Sequence, residues 1–491
     1  MTTSLSNEET SVAVVETPEP LALRTSADRS VYRIRHTLAS RFAFLVICVA
    51  IVLSALAYGT VHYWALGLFN LGGLPLLLLW VIDSWNLGTL RISRNLLQLP
   101  LLGVVILGLV QMLPLREISS GGATAIPLVN TLSLDPNSTR LVLVQLSSLL
   151  IYFAATLVFV DTPHRLQLLV RTITVFGFLL AILGLTQSFT SPTKVYWFRE
   201  LNQSTAFGPF INRHHFAGYM ELTIALPLGL LFAGAVDKEK RIIYLFVAGL
   251  MGVALVMTAS RGGIISLVAE IFFLMIVTAI WRKPSERRHK TKHRFKFVLG
   301  RLGMTGALLV ALFLGVVLLG GEFSINRFID SVNTDDPTTG RAHFWSVTVD
   351  IIKAHPYLGT GLGAFGVIYT KYDTRNGLYR LEQAHNDYLQ VLSDAGIIGA
   401  VLAFSFVALL FWKAIARAHS RDDFRRGVAL AALSGCFAVL VHSFFDFTLH
   451  TTSNALLFLV LAALATLNGR VEDAPARRKR RRSSSESSSS E

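Results

Sequence analysis

Apolar residues in this chain come in long blocks separated by short polar stretches, without the strict alternation of a half-buried strand. A helix needs about 20 mostly apolar residues to cross about 30 Å of hydrocarbon. On that criterion the chain predicts spans near 42–60, 63–83, 96–114, 142–160, 168–188, 215–235, 241–259, 262–281, 301–320, 386–412, 426–446 and 453–468. The third and the last fit it least well. The expected fold is therefore an all-α polytopic membrane protein of about 12 transmembrane helices. The first apolar run starts some 40 residues in, and a second follows at once, which argues against a cleavable signal peptide. The blocks divide the chain into a disordered tail (1–40), helices 1–9 (41–320), one long loop (321–385), helices 10–12 (386–468) and a basic, Ser-rich disordered tail (469–491).

Composition agrees. Of 491 residues, 52% are hydrophobic and only 15% charged, against about 25% charged in soluble domains. The net charge of +14 would suggest nucleic acid in a soluble protein, but here the cations sit between apolar runs, where membrane topology explains them. Cys48 and Cys436 both lie inside apolar runs, so neither a disulfide framework nor a Cys metal site is indicated. With the N-terminus placed in the cytoplasm, the cytoplasmic segments hold 31 Lys and Arg and the opposite loops 12, six of them in 321–385. That bias predicts cytoplasmic N- and C-termini, with the run RKPSERRHKTKHRFKF as the strongest anchor and the basic C-terminal tail against anionic lipid.

Few charges remain on the non-cytoplasmic face, and they gather in a handful of segments. In GPFINRHHFAGYMEL (208–222), Asn212, Arg213, His214 and His215 crowd a helix start, where free N–H groups favour anions and Arg213 adds a bidentate phosphate donor. The same residues also suit a polar interfacial cap. In TASRGG (258–263), Arg261 lies almost at membrane depth, where a charge costs roughly 2.5–3.5 kcal/mol and is usually paired or lines a polar cavity. The bland alternative is a snorkelling flank. The long loop contains GRAHFWSVTVDIIKAHPYLGTGLGAF, which reads as an amphipathic helix from Arg341 to about Ala354, lying at the interface with one basic corner, then a Gly-rich turn. Arg341 could equally be a solvent-exposed charge. In EQAHNDYLQVLSDAGIIG (382–399), His385 stands where the loop enters the tenth span. Histidine suits proton transfer near neutrality, although a lone interfacial His is more often structural. Glu382 and Asn386 could orient its ring, and Tyr388 lies close by. Finally, His442, Asp446 and His450 in HSFFDFTLH fall at i, i+4 and i+8 on one helical face, which fits a metal or proton-relay set less well than a helix-end structural role.

Taken in order, NRHHFAGY, SRGG, the loop with HPYLGTGLGAF, and AHNDYLQVLSDAGIIG resemble the O-antigen ligase and polymerase family of bacterial membrane glycosyltransferases, over roughly residues 200–450. The last motif is the most specific. The family's His, small polar residue, nine residues, Gly, two residues and small residue are met by His385, Asn386, Gly396 and Gly399. HSFFDFTL looks like the family's late-helix motif, and His214 departs from the Asn often found there. The resemblance implies a C-type glycosyltransferase architecture in the bacterial inner membrane, with a periplasmic active site and no cofactor or metal. The donor would be a glycan on undecaprenyl diphosphate, and the acceptor a hydroxyl of lipid A-core (ligase) or of a growing polysaccharide (polymerase). It further implies His385 as general base, Arg213, Arg261 and Arg341 on the diphosphate with Asn212 and His215 beside them, and Asn386, Glu382, Tyr388 and Asp446 in support. A twelve-span transporter is the alternative from another class, but it should show internal repeats, and no clear repeat relates the halves.

Overall fold

The computed structural model describes residues 36–115, 130–201, 206–281, 340–375 and 381–468, with isolated positions at 303–314 and 471. These form α1 Leu38–Leu56, α2 Tyr63–Leu87, α3 Gln98–Gln111, α4 Pro136–Phe159, α5 Pro163–Thr190, α6 Arg213–Phe232, α7 Arg241–Met257, α8 Arg261–Ile280, α9 Arg341–Ala354, α10 Phe365–Tyr372, α11 Asp387–Arg417, α12 Asp423–His442 and α13 Thr452–Thr466. Short 3-10 turns intervene, and Lys194–Val195 (β1) pairs antiparallel with Arg199–Glu200 (β2).

Among the described residues nine helices are long and apolar enough to cross a membrane: α1, α2, α4, α5, α6, α7 with the turn before it, α8, α11 and α12. The expected all-α polytopic fold is what the chain adopts. The third and last predicted spans correspond to the apolar helices α3 and α13. At 14 and 15 residues they rise only about 21–23 Å. The span expected at 301–320, the anchoring basic run and most of both tails lie outside the described residues. α9 begins and ends where the amphipathic stretch was expected, but its setting differs. Val347 and Ile351 pack on Phe365, Ile368 and Tyr369 of α10 and on Leu381 and Ala384. The helix buries its apolar face in protein, so a role as a surface helix is replaced by that of a cover over the start of α11.

Seven helices start on a side chain that accepts a first-turn N–H: Thr37, Asp135, Thr162, Asn212, Ser260, Asn386 and Asp422. α6 is buried along almost its whole length, packed by α5, α7, α8, α12 and α13. α2 instead turns Leu68, Leu71, Leu74 and Leu78 outward, a face that only hydrocarbon would tolerate at such length. At the far end of the bundle, Arg91 reaches Asp161 at 2.5 Å and Asp83 at 3.5 Å, and Arg165 meets Asp161 at 3.3 Å. Two of the cations counted as topology signals therefore also lock α2, α4 and α5 together.

α11 is interrupted at Gly396 (φ +61°, ψ −164°). The Gly-rich turn after α9 fills the gap with backbone hydrogen bonds: Thr360 N–H to Ser393 O (2.8 Å), Gly361 N–H to Asp394 O (3.1 Å) and Ile397 N–H to Pro356 O (2.8 Å). Gln111 of α3 clamps the junction, donating to Leu358 O at 2.7 Å and Asp394 O at 2.9 Å. A Cβ at Gly396 would stand 2.3 Å from Tyr357 O, on a backbone that L residues rarely adopt. Gly396→Ala should therefore cost at least about 1–3 kcal/mol and lower the thermal midpoint in detergent. Gly67→Ala, with nothing within 4 Å of the new methyl, should leave it unchanged or slightly raised. Equal midpoints for the two variants would refute this account of the break.

Candidate functional site

The site is built around a carboxylate. α12 ends at His442, four residues short of the predicted limit, and the chain turns so that Asp446 is buried to 1% exposure between α12 and the 3-10 turn Thr448–His450. Its Oδ1 accepts from His385 Nδ1 (3.2 Å) and from the Phe447 N–H (2.9 Å). Its Oδ2 faces Arg341 Nη2 at 3.6 Å and His214 Nδ1 at 3.7 Å, and has no hydrogen bond within normal reach among the described residues. Burial by itself raises a carboxyl's pKa. The hydrogen bond from His385 and the adjacent imidazoles outweigh it, so Asp446 is held below the usual carboxylate range.

His385 is positioned by strain and by neighbours. Its φ is +51°, left-handed backbone that costs a non-glycine residue about 1–3 kcal/mol and persists only where the surroundings enforce it. Enforcement comes from both sides. Ala384 donates its N–H to Gln390 Oε1 (2.6 Å) and accepts at its carbonyl from Trp345 Nε1 of α9 (3.1 Å). Asn386 caps α11 by accepting from Tyr388 and Leu389, and donates to Phe444 O at 3.1 Å. The imidazole lies edge-on to Phe447 (4.8 Å between centroids) and stacks on Phe344 (6.2 Å). With Nδ1–H committed to Asp446, Nε2 is the nitrogen able to take a proton.

Four helix starts meet here. His214, in the first turn of α6, is bonded through Nδ1 to Ser260 Oγ (2.8 Å), the cap of α8. Arg213 and Arg261 are the first residues of these two helices, Arg341 is the first of α9, and His385 precedes the cap of α11. The positive ends of four helices and the Arg341 guanidinium thus lie around one carboxylate, an arrangement suited to an anion. Asn212 caps α6 through the His214 N–H (2.9 Å). His215 is buried edge-on to Phe447 at 4.9 Å, and its Nε2 has no partner among the described residues.

Other expectations are redistributed. Glu382 is exposed, and the Nδ1 of His385 is held by Asp446 instead. Tyr388 donates its hydroxyl to Leu440 O (2.7 Å) and packs on Phe444, which ties α11 to α12. His442, Asp446 and His450 do not share a helical face. Helix α12 stops at the first of them, and each has its own partner: Glu221 (2.8 Å), His385 (3.2 Å) and Asp387 (2.8 Å) respectively. Among the described residues no group of three or more His, Cys, Asp or Glu is arranged to hold a metal. The sequence reading missed the Asp387 cluster, in which the carboxylate also accepts from Ser443 Oγ at 2.7 Å. Burial acts to lower the His450 pKa, but the hydrogen bond between His450 and Asp387 and the Asp387 charge outweigh it, so the pKa is raised. It also missed the His214–Ser260 link. Only the adjacency of each polar residue to a recognised motif pointed to them.

Against this geometry, a family model described as O-antigen ligase matches residues 246–404, about a third of the chain. The resemblance read from the motifs is borne out over that segment, which carries Arg261, Arg341, His385, Asn386 and Gly396. Arg213, His214 and Asp446 lie outside it. No curated protein matches the chain.

A group whose pKa is depressed by folding contributes stability above its unfolded pKa and loses it as pH falls toward the folded value. For Asp446 the unfolded value is about 3.9. Wild type should therefore exceed Asp446→Asn in thermal midpoint above about pH 4, with the gap closing in more acid detergent solution. A gap independent of pH would mean that the carboxylate charge does not hold the site.

Proposed function

We propose, from the O-antigen ligase match and the His385–Asp446 dyad it flanks, that the protein is a membrane glycosyltransferase moving a glycan from undecaprenyl diphosphate to an acceptor hydroxyl. The observation that carries this reading is the single buried carboxylate that bonds His385 through one oxygen and faces Arg341 and His214 with the other. It joins a proton acceptor to an anion site.

His385 Nε2 takes the proton of the acceptor hydroxyl as its oxygen attacks the anomeric carbon. The bond from that carbon to the phosphate oxygen breaks, the diphosphate leaves with the electron pair, and the carbon inverts. General-base assistance of this kind is worth typically 10²–10⁴-fold. Asp446 fixes the tautomer and balances the imidazolium that forms. Arg213, Arg261 and Arg341, with the starts of α6, α8 and α9, face the charge that grows on the leaving diphosphate. Guanidinium stays protonated and matches phosphate oxygens two at a time. Preorganised donors of this kind act most strongly in the transition state.

The charge bias of the loops supports a periplasmic placement of this site, where donor and acceptor would be lipid-linked and no nucleotide sugar is at hand. The N- and C-termini would then be cytoplasmic.

His385→Ala should lower transfer by at least about 10²-fold while the protein still reaches the membrane. Wild-type product in that variant would end the general-base assignment. Arg341→Lys should cost about tenfold, the loss of one charge-assisted hydrogen bond of about 1.5 kcal/mol. Unchanged turnover would make Arg341 a partner of Asp446 alone. In a deletion strain, free lipid-linked polymer would identify a ligase, and single repeat units a polymerase.

A further inference from the structure

The turn carrying Arg261 rests on a pair of polar side chains that the reaction does not use. His442, the last residue of α12, and Glu221, in the third turn of α6, meet at 2.8 Å from Nδ1 to Oε1, and both are fully buried. Polar groups are taken out of water at a cost that a hydrogen bond only partly offsets, so such a pair in an apolar interior calls for a reason. The other atom of each, His442 Nε2 and Glu221 Oε2, is buried with no partner among the described residues.

The first turn of α8 is pressed against them. A Cβ at Gly262 would come 2.8 Å from His442 Cδ2, 3.0 Å from its Nε2 and 3.0 Å from Phe445 Cβ. A Cβ at Gly263 would come 2.9 Å from Ala217 Cβ and 3.3 Å from Glu221 Oε1. Neither glycine is in left-handed backbone. They are required for space, and what occupies the space is this pair and the residues around it. On the other side of Arg261, Ser260 caps α8 by accepting from the Gly263 N–H (3.2 Å) and is tied to His214 (2.8 Å). Arg261 is thus bracketed by a hydrogen bond before it and a close-packed seat after it.

We propose that the His442–Glu221 pair is a positioning device that sets the height and rotation of the first turn of α8, and through it the placement of Arg261 against the donor diphosphate. The pair touches no substrate. The inference rests on the donor-site reading of Arg261 given above. Its physical basis is that misplacing a binding group by about 1 Å can cost 10²-fold in rate.

The test is a double-mutant comparison, with transfer assayed at varied donor concentration on purified protein that reaches the membrane at the wild-type level. Gly262→Ala, which collides with the His442 ring, should reduce kcat/KM for the donor about tenfold or more in the wild-type background. In an Arg261→Ala background the same change should cost less than about twofold, because the group being misplaced is gone. A general folding defect would instead cost the same in both backgrounds, and that result overturns the proposal. Glu221→Gln, which keeps the volume of the side chain, gives the same comparison if Gly262→Ala fails to accumulate. Two failures are distinguishable. If Arg261→Ala alone retains full transfer, the donor-site reading falls and the seat falls with it. If Arg261→Ala is impaired but the losses simply add, only the seat falls.

Discussion

A carboxylate removed from water must be repaid by partners, and Asp446 collects its partners from three separate segments of the sequence. His214 comes from the start of α6, Arg341 from the start of α9, and His385 from the approach to α11. His385 sits in strained backbone, and Arg341 heads a helix that belongs to a loop. Removing one partner of a buried charge is far more costly than never having placed the pair, so the cluster is cooperative. The ionised carboxylate also determines what the histidine can do, since it fixes which ring nitrogen carries the hydrogen.

The rest of the bundle serves this point by bringing helix starts together. α6 is buried by neighbours on every side, and α8 and α12 pack on it. Its cap residue Asn212, the His214–Ser260 bond and the His442–Glu221 pair place the starts of α6 and α8 beside Asp446. α9 and α10 close over the same region with an apolar core of their own. The starts of four helices are thereby gathered around Asp446, while the outward faces of helices such as α2 are left apolar for lipid.

Hydropathy made most of the fold legible, because a helix in hydrocarbon must satisfy its backbone internally and must be apolar for its full length. α3 and α13 were the doubtful spans for a physical reason: each is shorter than a bilayer crossing requires. The site was legible as a set of segments but not as a set of contacts. His385, Arg341 and Arg261 stood out because charge is scarce on that face. Asp446 was seen, yet the periodicity of a helix placed it on a face with His442 and His450, and the helix stops before that periodicity can act. Glu221 lay in plain view within an apolar run but gave no hint of its partner, which is 221 residues away. Pairings between distant helices leave no trace in spacing along a chain.

The break in α11 carries one further implication. The turn after α9 is stitched into the ladder of α11 on both sides of Gly396, and Gln111 fastens the stitch from α3. α9 is therefore no pendant arm. It is one limb of a rigid bracket whose other limb is the first turns of α11, with the corner at Pro356–Gly361. Arg341 and His385 sit at the two free tips of that bracket, and Trp345 and Phe344 brace the gap between them. The separation of cation and imidazole is thus a length cut by helix geometry, and it would change only if the backbone hydrogen bonds at the corner opened.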